Sequence, residues 1–147
     1  MGRSPVEQSY HFAIIGRAIS YAFGSARNKY DVGPYREYLH PKFSAKCLWP
    51  AKLAEREVEF SFVSHRRIAM ILNDEDTRRH DAPVGELTMR GKTNTFLGSL
   101  PFDAAMHIQT LLALNALPYM SLIGDPLYQG RADIRYVSFD TEPPEDL

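Results

Sequence analysis

Apolar and polar residues alternate most regularly over residues 57–63, EVEFSFV. Val58, Phe60 and Phe62 fall on one side, and Glu57, Glu59 and Ser61 on the other. A strand with one dry and one wet face reads this way. Residues 68–72, IAMIL, form a short continuous apolar run and predict a more buried strand. Residues 73–83, NDEDTRRHDAP, read as a polar loop. Two further strands are predicted over 84–90 and 93–100, joined at Gly91-Lys92, and others over 45–49, 119–123 and 132–139. Residues 103–114 change period: Ala105, Ile108, Leu111 and Leu112 recur at three or four, which predicts a helix. Pro101 suits its first turn, Asn115 its C-terminal cap, and Pro118 lies just beyond.

The N-terminal part reads differently. Across residues 10–28 the large apolar residues Phe12, Ile15, Ile19 and Phe23 stand three or four apart, so a helix is predicted. Gly16, Ser20 and Gly24 then form a smooth stripe, four residues apart, on another face. Such a stripe either admits a second backbone at close range or simply faces water. Residues 34–40 suit one or two helical turns ended by Pro41. The chain thus divides into an N-terminal helical arm (1–41), a β-rich domain (42–140) and an acidic, proline-rich tail (141–147). The fold class expected is mainly β, an α+β arrangement. It would be an antiparallel sandwich or partly open barrel of about seven strands, with one inserted helix and the helical arm. Strict alternation of strands and helices is absent, which disfavours a doubly wound nucleotide-binding fold.

Length and composition fit this picture. The 147 residues suit one domain with a substantial core, at 44% hydrophobic and 12% aromatic. A net charge of −1 supplies no global field toward nucleic acid or an anionic membrane. A single cysteine, Cys47, excludes an internal disulfide and a cysteine-rich zinc site, and reads as an inert packed thiol. No secretory signal is legible at the N-terminus, no apolar stretch is long enough to span a bilayer, and a cytoplasmic location is expected.

Motifs with chemistry are scarce. Gly91-Lys92-Thr93 copies the end of a phosphate-binding loop, but Gly85 is one residue too far upstream. A strand-like segment also follows where a helix is needed. The tripeptide is expected to be a hairpin turn with glycine first. The five histidines show no zinc spacing, so no metal site is assigned. Asp74-Glu75-Asp76 begins like a calcium loop and is broken by Thr77-Arg78-Arg79. No nucleophile elbow is present. No catalytic residue and no cofactor are assigned, and the balance leans away from an enzyme.

The residues support best a non-enzymatic β-rich binding or interaction module that forms a homo-oligomer. Its interface would be Phe12, Gly16, Ile19, Ser20, Phe23 and Gly24 of the arm. Three rivals stand beside it. A small-ligand or carbohydrate-binding domain would use aromatics such as Trp49 and Tyr128. A phosphate or nucleic-acid binder would use the pairs Arg66-Arg67 and Arg78-Arg79, although the sequence carries no strong nucleic-acid signal. An enzyme would need residues that converge only in three dimensions.

Overall fold

A computed structural model describes residues 6–25, 35–64 and 83–145. The expected strand at 68–72, its flanking loop and the arginines 66, 67, 78 and 79 lie outside the described residues. Seven strands close into a barrel: β1 (Gln8–Ser25), β2 (Tyr35–Trp49), β3 (Glu57–Val63), β4 (Gly85–Arg90), β5 (Thr93–Ser99), β6 (Tyr119–Gly124) and β7 (Arg131–Asp140). A helix, α1 (Phe102–Ala113), lies between β5 and β6, and a 3-10 turn (Ala51–Leu53) follows β2. Around the barrel the order is β1-β2-β3-β5-β4-β7-β6, with β6 returning to β1. The sheet is therefore closed rather than a sandwich or an open barrel. An odd number of strands around a ring cannot alternate direction throughout, and the one parallel pair is β3 with β5.

The expected N-terminal helix is a strand. Tyr10 and Phe12 are buried and Ile14 packs against the core, a period of two. The helical spacing of Phe12, Ile15, Ile19 and Phe23 was coincidental. The β-branched and aromatic residues favour a strand, and glycine at positions 16 and 24 penalises a helix. Residues 34–40 were expected to turn helically. From Tyr35 onward they belong instead to β2, which runs straight through Pro41. Leu39 and Cys47 donate backbone N–H groups toward the β3 side, to Ser64 and Arg56. Odd-numbered β2 residues therefore bond to β3 and even-numbered ones to β1. Pro41 falls on the β3 side without an N–H. The ladder breaks there, between the isolated Leu39–Ser64 bridge and the pair Lys42–Ser61, without a change of register.

Phenylalanine rings fill the barrel. Phe60 contacts Phe12 edge-on at 5.0 Å, Phe43 stacked at 5.1 Å and Phe96 at 5.4 Å, while Phe62 and Phe139 extend the cluster. Val58, Phe60 and Phe62 are all buried, as the alternation over 57–63 requires. The outer wall carries charge, with Glu57, Glu59, Arg131 and Asp133 exposed. Burying these rings against one another removes a large apolar area from water, a major stabilising contribution.

Helix α1 closes one end, here termed the cap. Phe102 and Ala105 pack on Leu39 and Leu100, and Leu112 and Ile108 reach the main core. Leu111, part of the same apolar pattern, is 40% exposed. The helix ends as expected at Asn115 (φ 57°). The Asn115 N–H donates to the carbonyl of Leu112, and the Ala116 N–H to that of Leu111, the paired closure of a left-handed cap. At the opposite end, the base, β4 and β5 join through Gly91-Lys92. The positive φ, 59°, falls on the glycine, as a hairpin turn with glycine first requires. The segment after Lys92 is β5, a strand. Among the described residues no helix is long and apolar enough to cross a membrane.

Candidate functional site

The residues assigned to an oligomer interface separate into two sets. Phe12 is fully buried in the barrel, where its ring meets Phe60. Gly16 lies where β1 leaves the barrel wall, and a Cβ added there would lie 3.9 Å from the Ser44 hydroxyl. Ile19, Ser20, Phe23 and Gly24 stand further along β1, opposite Pro41, His40, Glu37 and Arg36 of β2. This distal part of β1 and β2 is a two-stranded ribbon rising from the cap end. β6 accompanies β1 from Gln8 to Ala13, and the Ile14 N–H reaches the Pro118 carbonyl. Beyond Ile14, among the described residues, β1 pairs with β2 alone.

The direction of each N–H on this ribbon follows from the ladder. Even-numbered β2 residues bond to β1, and their partners are Gly16, Ala18, Ser20 and Ala22. The intervening residues Arg17, Ile19, Tyr21 and Phe23 turn their N–H groups away from β2, to a side with no strand partner among the described residues. At about 3.3 Å per residue, residues 17–25 extend for roughly 30 Å. The ribbon thus presents a row of backbone donors and acceptors, the arrangement that templates pairing with another strand.

The two aromatic candidates lie at the opposite end. Trp49 closes β2 and is 42% exposed, and Tyr128, between β6 and β7, is 76% exposed. Register shifts by one between the pairs His11–Trp49 and Phe12–Cys47, a bulge at Leu48. It turns Trp49 outward although Cys47, two residues earlier, is buried. Cys47 Sγ contacts the Trp49 carbonyl at 3.3 Å, and burial pushes its thiol up to about 11. That value fits a packed, unreactive cysteine rather than a nucleophile.

One pair with catalytic elements was invisible in the sequence because its members are 110 residues apart. His11 Nδ1 and Ser121 Oγ lie 2.7 Å apart on adjacent strands. Ser121 pairs in turn with Ser138, whose hydroxyl donates to Asp140 at 3.3 Å. The row resembles a triad only in composition. Ser121 sits mid-strand between β1 and β7, where the ladders engage the backbone N–H groups that an oxyanion would need. The pair serves as a cross-strand hydrogen bond.

Tyr10 is also buried. Its hydroxyl donates to the Asp125 carbonyl at 2.8 Å, and burial, with Asp125 nearby, pushes its phenol up to about 12. Among the described residues no group of three or more His, Cys, Asp or Glu side chains is placed to hold a metal ion. No family model matches the chain, and no characterised protein sequence or solved structure shows significant similarity to it.

Proposed function

We propose that the protein is a non-enzymatic interaction module that self-associates by pairing the open edge of β1 with the same edge of a second copy. The observation that carries this reading is the ribbon. Its outer edge at residues 17–25 has no strand partner among the described residues. An antiparallel edge is self-complementary about a two-fold axis, since donors of one copy meet acceptors of the other at matching spacing. The barrel body, with its filled interior, serves as the rigid support for that edge.

The mode differs from close packing of helices through a small-residue stripe, because the segment is a strand. Gly16, Ser20 and Gly24 remain in the pairing region, at positions that bond to β2. The test is the mass in solution, by sedimentation velocity, of the full chain and of Ile19→Pro and Tyr21→Pro. Each substitution removes one N–H on the open side while sparing those that bond β2. A dimer of 16.7 kDa chains that dissociates in both variants is expected. A monomer at tens of micromolar, or a dimer indifferent to both changes, contradicts the proposal.

A further inference from the structure

The base of the barrel carries a cleft of about 360 Å³ on its outer wall, at the end of β4, the start of β7 and the loop between β6 and β7. One tight turn organises it. Tyr128 and Arg131 exchange backbone hydrogen bonds at 2.8 and 3.1 Å. Between them Gln129 and Gly130 both adopt positive φ, 52° and 80°. Two left-handed residues in succession make a two-residue hairpin turn whose twist matches the strands it joins.

Residues opposite one another in a ladder point to the same face. Tyr128 is opposite Arg131, and Arg131 is opposite Thr88 of β4. Their neighbours Leu87 and Ala132 are buried, so this row faces outward. Arg90, two residues beyond Thr88, shares that face and is the diagonal neighbour of Arg131, a spacing within reach of long side chains. The turn also fixes Arg90. The Met89 N–H donates to the Gly130 carbonyl at 2.8 Å, and a Cβ at position 130 would come within 2.9 Å of the Arg90 Cβ. Arg90, Arg131 and the exposed Tyr128 therefore line one cleft.

The charges around it are unequally engaged. Asp125 is held by Arg135, whose Nη2 lies 2.5 Å from its carboxylate. Among the described residues, Arg90, Arg131 and Asp133 form no ion pair. Two forked cations side by side match a dianion, whereas a single carboxylate balances only one of them. Asp133, two residues along β7 from Arg131, accepts hydrogen bonds only, so a group beside it must donate. Tyr128 offers an apolar ring face.

We propose that this cleft binds a small phosphorylated sugar. The phosphate monoester lies between Arg90 and Arg131, sugar hydroxyls donate to Asp133, and the ring rests on Tyr128. The cleft volume falls within the range of small-molecule sites. The site lies at the opposite end of the barrel from the ribbon and stands independently of self-association.

The test is isothermal titration together with backbone amide shifts, using ribose 5-phosphate, ribose and inorganic phosphate as probes. Saturable binding of ribose 5-phosphate is expected, with the largest shifts at residues 128–131. Inorganic phosphate should bind more weakly by about tenfold, and ribose alone not at all. Arg90→Ala and Arg131→Ala should each weaken ribose 5-phosphate by at least about tenfold, with Arg→Lys intermediate because charge remains and the fork is lost. Asp133→Ala should remove the preference for the sugar phosphate over phosphate without weakening phosphate itself. Circular dichroism of each variant confirms that the barrel persists. No saturable shift by about 10 mM, a weak affinity by any standard, overturns the proposal. So does binding that survives both arginine changes, or an affinity for phosphate equal to that for the sugar phosphate.

Discussion

Phe60→Ala probes the barrel core at its centre. Phe60 is 1% exposed and meets rings from three other strands: Phe12 of β1, Phe43 of β2 and Phe96 of β5. Truncation removes the transfer free energy of the ring and leaves a cavity that these neighbours can fill only partly. The expected loss is about 3–5 kcal/mol, against a total stability of about 5–15 kcal/mol for a domain of this kind. Phe60→Leu keeps most of the volume and forfeits the ring geometry, for a loss of about 1–2 kcal/mol. Tyr136→Ala is the surface control, since Tyr136 is 55% exposed; it should change stability by no more than about 0.5 kcal/mol. Urea unfolding followed by Trp49 fluorescence and far-ultraviolet circular dichroism measures all three. A Phe60→Ala loss below about 1.5 kcal/mol, or one no larger than that of Tyr136→Ala, refutes the picture of a barrel filled by interlocking rings.

Cys47 should resist a thiol reagent such as Ellman's reagent in the native protein and react fully in denaturant; rapid native labelling would show that the thiol is not buried. Stability should fall in alkali: Tyr10 and Cys47 are held neutral, with values of about 12 and 11 against ordinary values of 10 and 9. The unfolded chain then binds fewer protons than the native one as pH rises, so the stabilisation is complete below about pH 9 and is lost as pH climbs through 11 to 12. Urea midpoints that stay level from pH 9 to 12 would contradict this, and Tyr10→Phe should flatten the upper part of the decline. Gly98→Ala should destabilise the β4–β5 hairpin by at least about 1 kcal/mol, because the added Cβ would meet the Phe96 ring at 2.6 Å; an unchanged urea midpoint would show that the ring yields freely.

Local patterns were legible in the sequence where one physical requirement dominated. The alternation at 57–63 announced β3 because each residue had one side to satisfy, core or water. Pro101, Asn115 and Pro118 bracketed α1 because they act through their own backbone conformations. Gly91 declared a turn for the same reason. The N-terminal segment misled because residues spaced by three and four satisfy a helix on paper, while a bulge in β1, at the register shift between Ile14 and Gly16, breaks the strand period. Pro41 looked like a terminator. It is tolerated because its missing N–H costs only a single rung beside β3. Closure of the barrel was beyond local reading, since it depends on β1 pairing with β6 more than one hundred residues later. The base cleft escaped notice for a similar reason: Arg90 and Arg131 become neighbours only through the β4–β7 ladder. Tyr128 is legible as an aromatic candidate, but its alignment with Arg131 depends on the left-handed pair Gln129-Gly130.

Self-association through the β1 edge is tested most directly by amide hydrogen exchange of the full chain at low and high protein concentration. Edge pairing predicts that the N–H groups of Arg17, Ile19, Tyr21 and Phe23 exchange quickly in the dilute monomer and become protected as the dimer forms, while Ala18, Ser20 and Ala22 are protected at both concentrations. Exchange at the four edge amides that stays fast at every concentration, in particular in a sample shown by sedimentation to be dimeric, would contradict it.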